Sequence, residues 1–249
     1  MIALDLIGIG TGNPEHITLA AIRAMQGADL ILLPCKGDDK TELLDLRRKI
    51  CATHLPDLSR VIAFDLPVRD GRADYLGAVN DWHDAIAAAW TTAITAHLPE
   101  GGRVALLVWG DPSLYDSTLR IARRLGAGGM PLTTRVVPGV TSLSVLTAAH
   151  AIPLNTLGAP VLITTGRRLR DTGWPADAEA VAVMLDSGGA FTAIDPAGVH
   201  IWWGAYLGME HEALIEGPLA EVAPMIIETR AALRADHGWI MDIYLLHRR

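Results

Sequence analysis

The chain has 249 residues, half of them hydrophobic and a fifth charged, which allows one large domain or two small ones around a substantial core. Its formal net charge of −7 argues against a protein that wraps nucleic acid. Two distant cysteines, Cys35 and Cys51, give neither a disulfide framework nor a zinc site and favour a reducing cytoplasm.

The first apolar run, residues 2–9, reads as a buried strand. Asp5 interrupts it and no basic region precedes it, so it does not read as a signal peptide. Residues 8–12 form a glycine turn, after which Asn13 is a plausible N-cap for a helix beginning at Pro14 and Glu15 and running over 16–26. Short aliphatic strands follow at 28–34, 60–67, 103–110 and about 132–137, with helical patterns at 41–54 and 72–98. This alternation predicts βαβ units and a mostly parallel sheet. The stretch 152–160 reads as a connector, so we place a domain boundary near 150 and expect domains at 1–150 and 151–249. Beyond it, 161–165, 180–185, 200–206, 211–217 and 239–247 read as strands, with one clear helix over about 219–235. Few helices separate these strands, which predicts a mixed, partly antiparallel sheet. No apolar stretch reaches the ~18 residues that a membrane helix needs.

Three turns stand at strand ends. Gly8, Gly10 and Gly12 alternate, but Asn13 falls where a dinucleotide fingerprint needs its third glycine, and no Gly-Lys-Ser/Thr follows for a P-loop. Gly110-Asp111-Pro112 follows the fourth strand, where Gly110 would admit a ligand to the backbone and Asp111 could accept hydrogen bonds, or simply cap the next helix. Pro138-Gly139 ends the fifth strand, with Thr141, Ser142 and Ser144 at a helix start that presents N–H groups or is capped by Thr141 or Ser142. Each turn alone could be structural. Three at the ends of one sheet point to a shared ligand site.

Gly8-x-Gly10-x-Gly12 with Thr18-Leu19, the run Ala28 to Leu32, Gly110-Asp111-Pro112-x-x-Tyr115, and Pro138-Gly139-Val140-Thr141-Ser142 together resemble the tetrapyrrole methylases. These are S-adenosylmethionine-dependent enzymes that decorate the precorrin ring. The resemblance spans the whole chain and departs at Thr11-Gly12-Asn13, where the family often has Pro-Gly-Asp. It implies two α/β domains with S-adenosylmethionine in the cleft between them, not in a Rossmann-like pocket. By motif position it implies cofactor contacts at Thr11, Trp109, Gly110, Asp111, Leu114, Thr141, Ser142, Met184, Tyr206, Leu207 and Trp239. Met184 and Leu207 could equally be strand core.

The stretches 152–171 and 201–212 are similar to one branch of the family. That branch adds a methyl to ring A of precorrin-5 and releases an acetyl group as acetate. Water attack on the acetyl group needs a guide. Asp111 and Tyr115 lead as catalytic candidates, with Asp186, Glu210 and His211 behind them. A polycarboxylate substrate on an acidic protein needs local cations, and 18 of the 21 basic residues are Arg, although codon bias also produces such a ratio. We single out Arg69, Arg167 and Arg168 for the substrate, within the wider clusters Arg69/Arg72, Arg167/Arg168/Arg170 and Arg120/Arg123/Arg124. The resemblance further implies a homodimer, while the composition and the apolar runs argue for the cytoplasm and against nucleic acid, a membrane span and a metal site. Two alternatives stay open: a methylase acting at another ring carbon, and a noncatalytic homologue that senses a tetrapyrrole or nucleotide.

Overall fold

The computed structural model describes residues 1–35, 41–69 and 75–248. By its internal contacts the chain divides into two units, Met1–Val140 and Thr141–Arg249.

The first unit carries β1 (Ile2–Gly8), α1 (Leu19–Gln26), β2 (Leu30–Cys35), α2 (Thr41–His54), β3 (Val61–Asp65), α3 (Tyr75–His97), β4 (Gly102–Val108), α4 (Thr118–Ala127) and β5 (Leu132–Val137). Its five strands form one sheet in the order β3-β2-β4-β1-β5, and every pair is parallel. Successive side chains on a strand point to opposite faces. Ile7 and Ile9, Ile31 and Leu33, and Ala105 and Leu107 pack with α1 and α2 on one face. Leu4 and Leu6, Leu30 and Leu32, and Val104 and Leu106 pack with α3 and α4 on the other. A sheet covered on both faces explains why these strands read as unbroken apolar runs. Asp5 is the exception and is buried. Its Oδ1 accepts from Arg135 Nε at 2.8 Å, and its Oδ2 accepts from Arg135 and from Arg103 Nη1. One carboxylate thereby ties β1 to both of its neighbours.

The helix after the glycine turn starts later than the sequence predicts. Asn13 caps only a short 3-10 turn, Pro14–His16, by accepting from the Glu15 N–H at 2.9 Å. Ile17 then adopts an extended backbone, and Thr18 caps α1 by accepting from the Ala21 N–H at 3.1 Å.

The second unit carries α5 (Ser142–Ala149), β6 (Val161–Thr165), α6 (Gly166–Thr172), β7 (Ala180–Met184), β8 (Val199–Ala205), β9 (Ala213–Pro218), α7 (Leu219–His237) and β10 (Asp242–Arg248). Its sheet runs β6-β7-β10-β8-β9, with β6 and β7 parallel and the other pairs antiparallel. The parallel first sheet and mixed second sheet match the expected fold class. The division falls after Val140 and not near 150, because α5 packs on β8 and β10 and so belongs to the second unit. Gly204 on β8 permits this packing: a Cβ there would meet Leu207 at 2.6 Å and Leu146 of α5 at 3.0 Å.

Candidate functional site

In the first unit, the carboxyl ends of β4, β1 and β5 lie side by side, which brings the three turns together. A Cβ on Gly8 would lie 2.6 Å from the Gly139 nitrogen and 2.7 Å from the Gly110 oxygen. One on Gly139 would lie 2.1 Å from the Gly110 oxygen. Backbone therefore touches backbone at this point, and only glycine fits at either position. Gly10 and Gly110 form an antiparallel bridge, with the Gly110 N–H donating to the Gly10 carbonyl at 2.7 Å.

Gly110 differs from its neighbours. Its φ is +61°, and an added Cβ would meet nothing within 4 Å. Open space over a left-handed glycine at the end of a parallel strand is where a ligand can approach the main chain.

Asp111 clamps the turns. It is buried, its Oδ2 accepts from the Gly139 N–H at 2.9 Å, and its Oδ1 accepts from the Ser113 N–H at 2.8 Å and from the Ser113 hydroxyl. Burial pushes this carboxyl up, but the three hydrogen bonds outweigh it and hold it below the ordinary carboxylate value. Asp111 caps no helix, since α4 begins only at Thr118. Both of its oxygens are engaged by its own turn and by Gly139, so it fixes the geometry of the two turns. Tyr115 is 42% exposed on the same loop and sits at φ +51°, a conformation that costs a non-glycine residue about 1–2 kcal/mol. Thr11, Leu114 and Trp109 are half-buried around these turns.

Trp109 has a neighbour that no sequence pattern flagged. The Arg47 guanidinium of α2 lies over its ring, 4.6 Å from the centroid. Arg47 donates through Nε to the Leu107 carbonyl at 3.4 Å and through Nη1 to the Leu43 carbonyl at 3.2 Å. In the sequence it sits among charged neighbours and looks like part of a solvated helix face.

The second unit holds the other candidates. Thr141 caps α5, accepting from the Ser144 N–H at 3.3 Å, with Ser142 as the first helical residue. Met184 is half-buried at the end of β7. Tyr206, Leu207 and Trp239 are core side chains. The Tyr206 hydroxyl donates to the Trp239 carbonyl, and the two rings meet edge to face with centroids 4.9 Å apart. Trp239 precedes β10 and is not part of it. His211 stacks on His237 at 4.2 Å, and Glu210 is exposed. Asp186 is a structural bracket after β7: it accepts from the Gly188 and Ala190 N–H groups at 3.0 and 2.6 Å and from the Tyr244 hydroxyl at 2.7 Å.

Arg167 and Arg168 are exposed on α6, whereas Arg170 pairs with Asp186 at 3.5 Å. In the first unit Arg69 is exposed, and Arg72 lies outside the described residues. Arg120 donates to the Asp116 carbonyl at 2.7 Å, and Arg124 binds Asp84 and Asn80 of α3. That last cluster thus fastens α4. Among the described residues no group of three or more His, Cys, Asp and Glu could hold a metal ion. No helix among them is long and apolar enough to cross a membrane.

The family model for tetrapyrrole (corrin/porphyrin) methylases matches residues 3–223. The chain belongs to this family. The methylase is 49% identical over 246 residues to precorrin-6A synthase [deacetylating] of Sinorhizobium sp, covering 98% of this chain and 94% of that one. It is also similar to the crystal structure of a cobalamin synthesis related protein, CobF, of Corynebacterium diphtheriae, with 39% identity, a TM-score of 0.84 and coverage of 100% and 99% of the two chains. The fold recurs in a uroporphyrin-III C-methyl transferase of Thermus thermophilus complexed with S-adenyl homocysteine, at a TM-score of 0.60, 21% identity and coverage of 98% and 92%.

Proposed function

We propose that this methylase is an S-adenosylmethionine-dependent C-methyltransferase of cobalamin biosynthesis that converts precorrin-5 to precorrin-6A, placing a methyl on ring A and releasing acetate. The carrying observation is the turn at the end of β4, where Gly110 leaves open space above a backbone that Gly8, Gly139 and Asp111 hold fixed. The choice of substrate and ring carbon rests on the kinship with precorrin-6A synthase [deacetylating] over almost the whole chain.

When bound, S-adenosylmethionine supplies an already activated sulfonium methyl, so the protein's task is alignment and exclusion of water. We assign Thr11, Trp109, Gly110, Asp111 and Leu114 to the cofactor from the first unit, and Thr141, Ser142, Met184, Tyr206, Leu207 and Trp239 from the second. Tyr206, Leu207 and Trp239 are buried, so they act through backbone and packing. Asp111 sets the geometry by holding Gly139. Tyr115, exposed on the same loop, directs a water to the acetyl carbonyl carbon. Water adds to that carbon, the C–C bond to the ring breaks with its electron pair left on the conjugated macrocycle, and the acetyl group leaves as acetate while the two protons of the water pass to solvent. Arg69, Arg167 and Arg168 receive the carboxylate arms. The enzyme works as a cytoplasmic homodimer without a metal; sedimentation as a monomer would refute the dimer.

Tyr115→Phe tests the division of labour, because it keeps the ring and removes only the hydroxyl. The expected product is methylated and still acetylated. Wild-type release of acetate from this variant would remove Tyr115 from the role.

A further inference from the structure

The turn after β7 holds an apolar side chain in a strained conformation. Leu185 has φ +52°, which brings the Cβ of an L-residue too close to the following carbonyl oxygen. It is also 65% exposed. Leu185 therefore gains little from burial, and glycine would satisfy the turn without strain. The other non-glycine residues with positive φ among the described residues differ from it: Tyr206 is buried, Ala151 has only a methyl group, and Tyr115 carries a hydroxyl.

The backbone of Leu185 is fixed from both sides. Met184 before it pairs with Thr165 of β6. Asp186 after it is buried, and its carboxylate accepts from the Gly188 and Ala190 N–H groups at 3.0 and 2.6 Å and from the Tyr244 hydroxyl at 2.7 Å. The Asp186 carbonyl accepts from Arg230 Nη2 at 2.8 Å. A strained residue that its surroundings over-determine, and whose side chain stays in solvent, has the character of a ligand contact.

Its surroundings indicate the class of ligand. β6 and β7 are parallel, and ligands approach parallel strands at their carboxyl ends. Thr165 and Met184 are the last residues of these strands and partners in register, so Gly166 and Leu185 leave the sheet side by side. A Cβ on Gly166 would lie 2.4 Å from Asp186 Cγ, so the two turns touch. Gly166 opens α6, and the next two residues, Arg167 and Arg168, are exposed. One strand end presents an apolar side chain and its neighbour leads into two guanidinium groups. That combination suits a broad apolar ring system with carboxylates on its rim. It does not suit the cofactor, whose sulfonium and ammonium groups two guanidinium groups would repel.

We propose that Leu185 is a substrate-binding residue whose exposed side chain packs against the face of the tetrapyrrole macrocycle, beside the arginines that receive its carboxylate arms. The inference deepens the function proposed above and rests on it.

Steady-state kinetics, calorimetry and thermal melting on Leu185→Gly and Leu185→Ala test it. In both variants KM for precorrin-5 should rise about tenfold, the change expected when the apolar area of one leucine is no longer withdrawn from water. Kd for S-adenosylhomocysteine should stay at the wild-type value. The glycine variant should also melt within about 2 °C of wild type, because relief of the positive φ offsets the little packing that is lost. Leu185→Met keeps an apolar side chain of similar volume and should hold KM close to wild type. Wild-type KM in the glycine and alanine variants would overturn the inference, and so would a parallel loss of S-adenosylhomocysteine affinity, which would assign Leu185 to the cofactor. A Tm of Leu185→Gly far below wild type would overturn it as well, and make Leu185 a structural plug. A wild type that binds S-adenosylhomocysteine but does not turn over precorrin-5 would instead strike the proposed function, and this inference with it; that control is read before any variant is made.

Discussion

Asp111→Asn keeps the size of the side chain and removes its charge. The carboxylate accepts the Gly139 N–H, the Ser113 N–H and the Ser113 hydroxyl. An amide has one oxygen and one NH2 group, so it can serve one side of this clamp and must turn a donor toward an N–H on the other. A hydrogen bond to a charged group contributes roughly 1.5–3 kcal/mol, so the variant should lose about 2 kcal/mol. In a chain of this size that lowers Tm by roughly 4–8 °C. The pH dependence has a definite sign. The folded carboxyl titrates below its ordinary value, so its contribution is complete above the unfolded-state pKa of about 3.9 and is lost as pH falls through the lower folded-state value. Scanning calorimetry should therefore find the full gap between wild type and variant at pH 7, closing only below about pH 4. Equal melting at pH 7, or a gap that stays constant down to acid unfolding, would refute the clamp. Because Asp111 positions the turn, methyl transfer and acetate release should fall together in this variant. Methylation that survives while acetate release fails would give Asp111 the water-directing role.

The other expectations concern neighbouring positions. Gly110→Ala should fold with a strain of about 1–2 kcal/mol from its positive φ and bind S-adenosylhomocysteine more weakly in calorimetry, whereas Gly139→Ala, with a Cβ 2.1 Å from a backbone oxygen, should fail to give soluble protein. Arg167→Ala and Arg168→Ala should each raise KM for precorrin-5 about ten- to a hundredfold and leave cofactor affinity unchanged; equal loss of both ligands would make the pair structural. Burial pushes the Cys51 thiol up to about 11, so a thiol reagent at pH 8 should label half-buried Cys35 first and reach Cys51 only on unfolding.

The strands were legible because their burial is local and repetitive. Leu132–Val137 and Val161–Thr165 coincide with the runs read from the sequence. Helix starts were less legible, since capping residues compete. Asn13 and Thr18 both have the chemistry of an N-cap, and only the extended backbone at Ile17 assigns α1 to Thr18. No start was fixed for Thr118–Ala127, because Asp111-Pro112 also has the chemistry of a helix start, while its carboxylate is committed to Gly139. The glycine turns were visible as a set, with Gly110 expected to admit a ligand, but the packing of the other glycines was not visible. Gly8 and Gly139 are locked against backbone and Gly110 is open, a distinction that arises only when the three strand ends meet. Arg47 had no signal, because its burial depends on Leu107 and Trp109 some sixty residues away.

The proposed function has one enzyme perform methyl transfer and loss of acetate on a single tetrapyrrole. Mass spectrometry of precorrin-5 incubated with the protein and S-adenosylmethionine tests it most directly. The expected product has gained one methyl and lost its acetyl group, with one S-adenosylhomocysteine and one acetate formed per turnover. A methylated product that keeps the acetyl group, or an unchanged tetrapyrrole in the presence of bound cofactor, would contradict it.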